Sequence, residues 1–279
     1  MLAKDRSTFY REALQSPPLT PEHAPLLTFG GPPTFFLRVP PDEGALHDLV
    51  KQAHAKVAKP AASAAYEAEM RAEVARHLSS QPVYWSKVWP AGLAMSRYLL
   101  AHTSLCERKR VLELGAGLGI GAVCAAIAGA SDVLCTDIEP KGLDYALASA
   151  RDNNVANRLR VMAWDWNEDI PERVGGPFDV TLCGDIIYQD EHAPRLAQLL
   201  VELVKPGGAV VFSDSIERPY KDGHQSELAG RLAGNGFVQQ GSHDMLIEAG
   251  ARGGVAAGNK VRVLIFERRA LAQRVRRGA

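Results

Sequence analysis

The sequence is poor in cysteine, and the positions of its few cysteines exclude two kinds of protein. Four cysteines occur among 279 residues, and none has the Cys-x-x-Cys spacing of a zinc or redox site. Three lie within apolar stretches, as small buried side chains in a reducing compartment do. We therefore expect neither a disulfide framework nor a metal site.

An excess of charge of either sign is also missing. The 32 basic and 32 acidic residues give a formal net charge of +0, so the chain as a whole is not an electrostatic trap for nucleic acid. It has no run of about 18 apolar residues that could span a membrane, and its N-terminus lacks the apolar segment of a signal peptide. We expect a cytoplasmic monomer that binds neither nucleic acid nor membrane, with an organelle such as the mitochondrion left open.

The chain divides into an irregular N-terminal extension, residues 1–81, and a regular domain, residues 82–279. Prolines punctuate the extension, in which we predict one strand over 34–39 and two helices over 43–57 and 61–78. We expect the extension to form a cap or a substrate-binding layer on the domain.

Strand and helix patterns alternate along the domain. The predicted strands are 110–114, 133–137, 159–164, 178–183, 209–213, 243–248 and 261–267. The predicted helices are 90–103, 119–129, 141–154, 190–204 and 222–234. Many of the strands are continuous apolar runs, as buried parallel strands are. The order predicts an α/β fold in which right-handed crossovers wind a seven-stranded sheet.

A glycine-rich loop, Glu113-Leu-Gly-Ala-Gly-Leu-Gly119, follows the first strand of the domain. Glycines permit a tight turn and a close approach of the backbone to a ligand, and the next helix offers unpaired N–H groups. Counted from Gly117, the dinucleotide variant Gly-x-Gly-x-x-Ala ends at Ala122, so an NAD-dependent oxidoreductase stays open. A P-loop is excluded because no Lys-Ser/Thr pair follows the glycines.

Acidic and aromatic residues follow the next two strands, at the edge where open α/β sheets bind ligands. Asp137 ends the second strand, and a carboxylate there can accept both hydroxyls of a ribose. Capping of the helix near Pro140 is its alternative role. Trp164 and Trp166 follow the third strand, where a ring can flank adenine, but either can equally be a packing residue.

A further polar group, Gly184-Asp185-Ile-Ile-Tyr188, follows the fourth strand. A charge after the apolar run 178–183 is costly unless the group is used or exposed. We therefore expect Asp185 and Tyr188 to face the reactive end of the ligand. Capping of the next helix by Asp185 is the alternative.

Together these segments resemble the seven-β-strand methyltransferases, in particular methyltransferase family 16, a group of lysine methyltransferases. That family has a Glu-Leu-Gly-x-Gly-x-Gly loop, an acid ending strand two, a tryptophan after strand three and an Asp-x-x-Tyr motif after strand four. Its Trp-Pro-like segment is similar to residues 84–99 here. The resemblance covers about residues 82–220, and it looks similar to the branch that methylates the electron-transfer flavoprotein β-subunit. It implies a Rossmann-like fold and S-adenosylmethionine as cofactor.

The resemblance also implies roles for individual residues. Asp137 would take the ribose hydroxyls and Trp166 would flank the adenine, while Asp185 and Tyr188 would be the catalytic residues at the mouth where the acceptor enters. The whole cofactor-binding set implied is Trp89, Glu113, Gly115, Ala116, Gly117, Gly119, Asp137, Trp166, Gly184 and Tyr188.

The function favoured by these observations is S-adenosylmethionine-dependent N-methylation of a lysine in a protein. A methyltransferase for protein histidine or for a small amine is the first alternative. The second is a non-enzymatic nucleotide binder or an NAD-dependent oxidoreductase.

Overall fold

The structure, a computed structural model, describes residues 26–30, 33–40, 84–167, 171–216, 222–247 and 259–270. The strands within these residues are β1 (Leu26–Phe29), β2 (Phe35–Arg38), β3 (Arg110–Leu114), β4 (Asp132–Asp137), β5 (Leu159–Ala163), β6 (Phe178–Gly184), β7 (Val204–Ser215), β8 (Phe237–Ile247) and β9 (Asn259–Arg268). The helices are α1 (Pro90–Ala101), α2 (Ile120–Ile127), α3 (Pro140–Asp152), α4 (His192–Leu203) and α5 (Asp222–Gly234).

Strands β3 to β9 form one sheet in the order β5-β4-β3-β6-β7-β9-β8. Neighbours among β3 to β7 are parallel, and β9 runs antiparallel between β7 and β8. The predicted α/β fold with seven strands is confirmed. Strands β7 and β8 start well before the predicted residues 209 and 243. Polar residues and a register shift between Gln239 and Gly241 obscure the start of β8, and residues 205–208, which lie between the predicted helix and the predicted strand, belong to β7.

The sheet is buried on both faces, which explains the continuous apolar runs. Val111 and Val133 point into a core shared with α1, α2 and α3, whereas Leu112 and Leu134 point into the core formed with α4 and α5. All four cysteines are buried and unbridged. The parallel strands β3 to β6 all end at one edge of the sheet, which gathers the loops that follow them. None of the helices that the structure describes is long and apolar enough to span a membrane.

Strands β1 and β2 form an antiparallel hairpin that packs on α3. The Phe36 N–H donates to Asn153 Oδ1 at 2.9 Å, and Asn153 Nδ2 donates back to the Phe36 carbonyl at 2.7 Å. Arg38 Nε bonds to Asp152 Oδ2 at 2.6 Å. Leu37 is fully buried in the core that also contains α3. The hairpin is therefore part of the folded unit.

The N-terminal predictions are tested only where the structure describes the chain. The strand predicted over 34–39 is confirmed as β2, whereas β1 had not been predicted. The predicted helices over 43–57 and 61–78 lie outside the described residues. The predicted boundary between residues 81 and 82 stays a prediction.

The hairpin provides a test of its contribution to stability. Replacing Leu37 by Ala should lower the free energy of unfolding by about 2–5 kcal/mol, because it removes apolar volume from a closed core. Leu26 in the same hairpin is 41% exposed, so Leu26→Ala should change the free energy of unfolding by less than about 0.5 kcal/mol. Urea denaturation of both variants measures the difference. Equal midpoints would show that the hairpin does not share the core.

Candidate active site

The glycine loop after β3 adopts a backbone that only glycine takes without strain. Gly115, Gly117 and Gly119 have φ values of +58°, +54° and +69°, in the left-handed region. A Cβ on Gly115 would lie 2.8 Å from Ile186 Cγ2, so the loop also needs the space. The Ala116 N–H donates to the Thr136 carbonyl at 2.9 Å, which ties the loop to the end of β4.

Glu113 supports this loop from beneath. Its side chain is only 3% exposed, and Oε2 accepts a hydrogen bond from the Ala122 N–H in the first turn of α2 at 2.7 Å. Burial raises the pKa of the Glu113 carboxyl to about 8, and the nearby Asp137 carboxylate adds to the shift. The sequence prediction grouped Glu113 with the cofactor-binding residues. In the structure its carboxyl is enclosed behind the loop, where it holds the loop and the helix together.

Asp137 joins the end of β4 to the same loop. Its Oδ2 accepts from the Gly117 N–H at 2.7 Å and its Oδ1 from the Glu139 N–H at 2.9 Å. Burial raises the pKa of its carboxyl. The alternative role as a helix cap is wrong, because the N-cap of α3 is Glu139, whose side chain accepts from the Lys141 N–H. A carboxylate has about four lone-pair positions, so Asp137 can still accept hydrogen bonds from a ligand.

The structure separates the two tryptophans that the sequence could not. Trp164 is 1% exposed and belongs to the core under α4. Trp166 is also buried, at 7% exposed, and belongs to the same core, but its Nε1 reaches the glycine loop, because a Cβ on Gly115 would be 3.9 Å from that atom. Ile138, which directly follows Asp137, is 67% exposed. An exposed apolar side chain directly after an acid suits a ligand that has both hydroxyl groups and a flat ring.

Asp185 follows β6 in a conformation that non-glycine residues rarely adopt. Its φ is +55°, which costs on the order of 1 kcal/mol for a residue with a Cβ. Its N–H donates to the Ser213 carbonyl at 2.9 Å, and this bond to β7 helps to fix the turn. Capping of the next helix by Asp185 is wrong, because the N-cap of α4 is Glu191.

Three aromatic side chains, Tyr84, Trp89 and Tyr188, form what we call the aromatic mouth. The Tyr84 ring lies 6.0 Å from the Trp89 ring and 5.8 Å from the Tyr188 ring, between centroids. Trp89 Nε1 donates to the Tyr84 carbonyl at 2.8 Å. Tyr84 and Tyr188 are 53% and 51% exposed, so these rings are not core residues. Burial raises the pKa of the Tyr188 phenol, which therefore stays protonated at neutral pH.

Sequence reasoning missed two residues of the segment before α1. Tyr84 was within the segment resembling the family, but its aromatic character alone did not show that it faces Tyr188. Trp85 crosses the glycine loop: a Cβ on Gly117 would be 3.2 Å from its carbonyl oxygen, and its ring lies 6.0 Å from Tyr145 of α3. A contact between residues so distant in sequence leaves no local pattern.

The predicted site residues thus meet at one edge of the sheet. The glycine loop, Asp137 and Trp166 form one part, and the loop after β6, which carries Asp185 and Tyr188, forms another with the rest of the aromatic mouth. Within the described residues no group of three or more His, Cys, Asp or Glu side chains could hold a metal ion. The arrangement suits an extended ligand with hydroxyl groups and an aromatic ring, and a second reactant that enters between exposed rings.

Comparisons with known proteins agree with this geometry. A family model described as "Lysine methyltransferase" matches residues 81–227, more than half of the chain. The electron transfer flavoprotein beta subunit lysine methyltransferase of Mus musculus is 34% identical over 142 residues, 50% of this chain and 53% of that protein. The protein N-lysine methyltransferase METTL21A of Danio rerio is 29% identical over 183 residues, which are 62% of this chain and 83% of that protein.

The fold also matches solved structures. The chain aligns with a candidate RNA methyltransferase of Pyrococcus horikoshii at a TM-score of 0.50 and 19% identity, over 63% of this chain and 83% of the other. That similarity supports the fold alone. The chain spans about half the length of the first curated relatives that it matches.

The buried Glu113 carboxyl predicts a pH dependence of stability. Between about pH 5 and pH 8 the unfolded chain has ionised Glu113 while the folded protein keeps the proton, so its contribution to stability is lost as pH rises. Replacing Glu113 by Gln should flatten the plot of unfolding free energy against pH by up to about 1.4 kcal/mol per pH unit. Glu107→Gln, at a carboxylate that is 56% exposed, should leave the slope unchanged. Parallel curves for wild type and Glu113→Gln would contradict this account.

Proposed function

Since the chain belongs to the lysine methyltransferase family, we propose that it transfers a methyl group from S-adenosylmethionine to a lysine side chain of a protein. The observation that carries the proposal is the convergence of the glycine loop, Asp137 and Asp185 at the ends of adjacent parallel strands, beside the aromatic mouth. A fold of this kind hosts many activities, so the proposal depends on these side chains and on the family together.

The residues around the glycine loop fit S-adenosylmethionine. Asp137 has acceptor capacity left for the two ribose hydroxyls. Ile138 offers an exposed apolar surface to the adenine, and the edge of the buried Trp166 indole lies at the glycine loop. The backbone of Gly115 to Gly117 can approach the amino-acid part closely, and Gly184 at the end of β6 can contact the ligand through its backbone. When bound, the cofactor supplies an activated methyl group on a sulfonium.

The aromatic mouth fits a lysine acceptor. Exposed rings attract an ammonium group through their negative faces, and partial desolvation there favours the neutral amine, which lysine needs because its usual pKa is about 10.4. The Asp185 carboxylate attracts and orients the ammonium, whose proton leaves to solvent before the neutral amine takes the methyl group. Tyr188, a protonated phenol, supplies a wall and a hydrogen bond. Catalysis then depends mainly on alignment of the acceptor with the methyl group.

A protein is the proposed acceptor because the mouth is open to solvent at Tyr84 and Tyr188. Since one relative is named for the electron transfer flavoprotein beta subunit, that subunit is the first protein acceptor to test. Protein histidine and small amines are the competing acceptors. We further propose a monomer that acts in the cytoplasm or an organelle and that binds no nucleic acid, which its balanced charge favours.

Ligand binding tests the cofactor proposal. S-adenosylhomocysteine at about 100 times its Kd should add roughly 2.7 kcal/mol to stability and raise Tm by about 5–10 °C, whereas NADH should not. Asp137→Asn should weaken binding at least about tenfold, one lost hydrogen bond to a charged group being worth roughly 1.5–3 kcal/mol. Asp132→Asn, at the opposite end of β4, should leave the affinity unchanged. If S-adenosylhomocysteine left Tm unchanged, the cofactor assignment would be wrong.

Methyl transfer tests the acceptor side. With labelled S-adenosylmethionine and purified electron transfer flavoprotein beta subunit, Asp185→Asn should lower kcat about 100-fold and leave S-adenosylhomocysteine affinity nearly unchanged. Asn tolerates the left-handed backbone, so this variant removes the negative charge without adding backbone strain. Tyr188→Phe should act in the same direction. Asp190→Asn, an exposed carboxylate on the same loop, is the control. Normal turnover in both variants would refute the assigned roles, and transfer only to small amines or histidine would change the acceptor.

A further inference from the structure

His192 is a buried imidazole that the proposed reaction does not use. It is the first residue of α4 and is only 2% exposed. Its Nδ1 lies 3.2 Å from the Ile186 carbonyl oxygen and 3.5 Å from the Tyr188 backbone nitrogen. Both partners belong to the loop that carries Asp185 and Tyr188. One ring nitrogen therefore faces the backbone on either side of Ile187.

The same imidazole contacts two aromatic side chains of the candidate site. Its ring centroid lies 4.6 Å from that of Tyr188 at an interplanar angle of 82°, and 5.1 Å from that of Trp166 at 66°. Both are edge-to-face arrangements, which aromatic pairs prefer. Arg195, one turn further along α4, donates from Nε to the Trp166 carbonyl at 3.1 Å. The start of α4 thus contacts the adenine side and the acceptor side together.

We propose, resting on the proposed function, that His192 is a positioning residue that fixes Tyr188 against Trp166 and so aligns the acceptor with the bound cofactor. An apolar side chain would fill this place without the cost of burying a polar ring. The imidazole adds what an apolar side chain lacks, a ring N–H that can donate to the Ile186 carbonyl. That contact restrains the loop in which Asp185 has its strained conformation.

The electrostatic surroundings keep the ring neutral. Burial lowers the pKa of His192, and the nearby His224 acts in the same direction. The Ile186 carbonyl, Glu191 and Asp165 oppose the shift but do not reverse it. Tyr188, the other titratable group against the ring, is a protonated phenol. The Ile186 carbonyl can only accept, so the neutral ring carries its proton on Nδ1 and donates to that carbonyl at 3.2 Å. Because the same nitrogen cannot also accept, the Tyr188 N–H, 3.5 Å away, is a neighbour of the ring and not a second hydrogen bond.

The test compares two replacements of His192. Leu keeps a similar volume but loses the polar contact, whereas Asn can keep a polar atom near the position of Nδ1. With the electron transfer flavoprotein beta subunit as acceptor, His192→Leu should lower kcat about 100-fold and His192→Asn less than about tenfold. His102→Leu, at an exposed imidazole at the far end of α1, is the matched control and should stay within about twofold.

A double-mutant cycle separates positioning from folding. The effects of His192→Leu and Tyr188→Ala on kcat should be strongly non-additive, because His192 acts through Tyr188. A structural role alone would give additive effects on kcat and a loss that tracks the unfolded fraction. Additive effects, or an unchanged kcat in His192→Leu, would overturn this inference and leave the proposed function standing. A wild-type protein that neither binds S-adenosylhomocysteine nor transfers methyl groups would overturn the proposed function and this inference with it.

Discussion

The hydrogen bond between the Asp137 carboxylate and the Gly117 N–H connects the end of one parallel strand to the loop that follows its neighbour. Glu113 makes the equivalent connection on the other side of the loop, to the Ala122 N–H. A hydrogen bond to a charged group is worth about 1.5–3 kcal/mol and one to a neutral group about 0.5–1.5 kcal/mol, and two nearby buried carboxyls repel each other when both are ionised. Protonation of Glu113 relieves that repulsion. The loop can therefore hold its left-handed backbone while Asp137 keeps the charge that a ligand would use.

The order of the sheet and its helices could be predicted because each element buries a face, and burial leaves a periodic pattern. The first strand of the hairpin, β1, could not, because it is short and its side chains are exposed or only partly buried. The start of β8 was hidden by polar residues and by the register shift at Gln239. Local pattern likewise could not separate Trp164 from Trp166, since both follow an apolar strand. Their difference lies in the packing of α4 and of the glycine loop.

The candidate site was predictable where a motif falls at a strand end, as at Asp137 and Asp185. It was not predictable where distant segments meet. The Tyr84 ring contacts Tyr188 only because the segment before α1 crosses the ends of the strands. The enclosed position of the Glu113 carboxyl depends on how tightly α2 packs against β3. Residue type shows what chemistry a side chain can do, but burial decides whether a ligand can reach it.

The position of α4 extends this reasoning from single residues to the relation between the two parts of the site. Trp166 follows β5 and Tyr188 follows β6, and β3 and β4 lie between these two strands in the sheet. The sheet therefore does not fix the relative position of these two side chains, which depends on the loops that carry them. His192 is in edge-to-face contact with both rings and also bonds to the loop backbone, so a shift at either ring must be accommodated by the other. The alignment of the acceptor with the methyl group would then depend on the first turn of this helix as much as on the motifs at the strand ends.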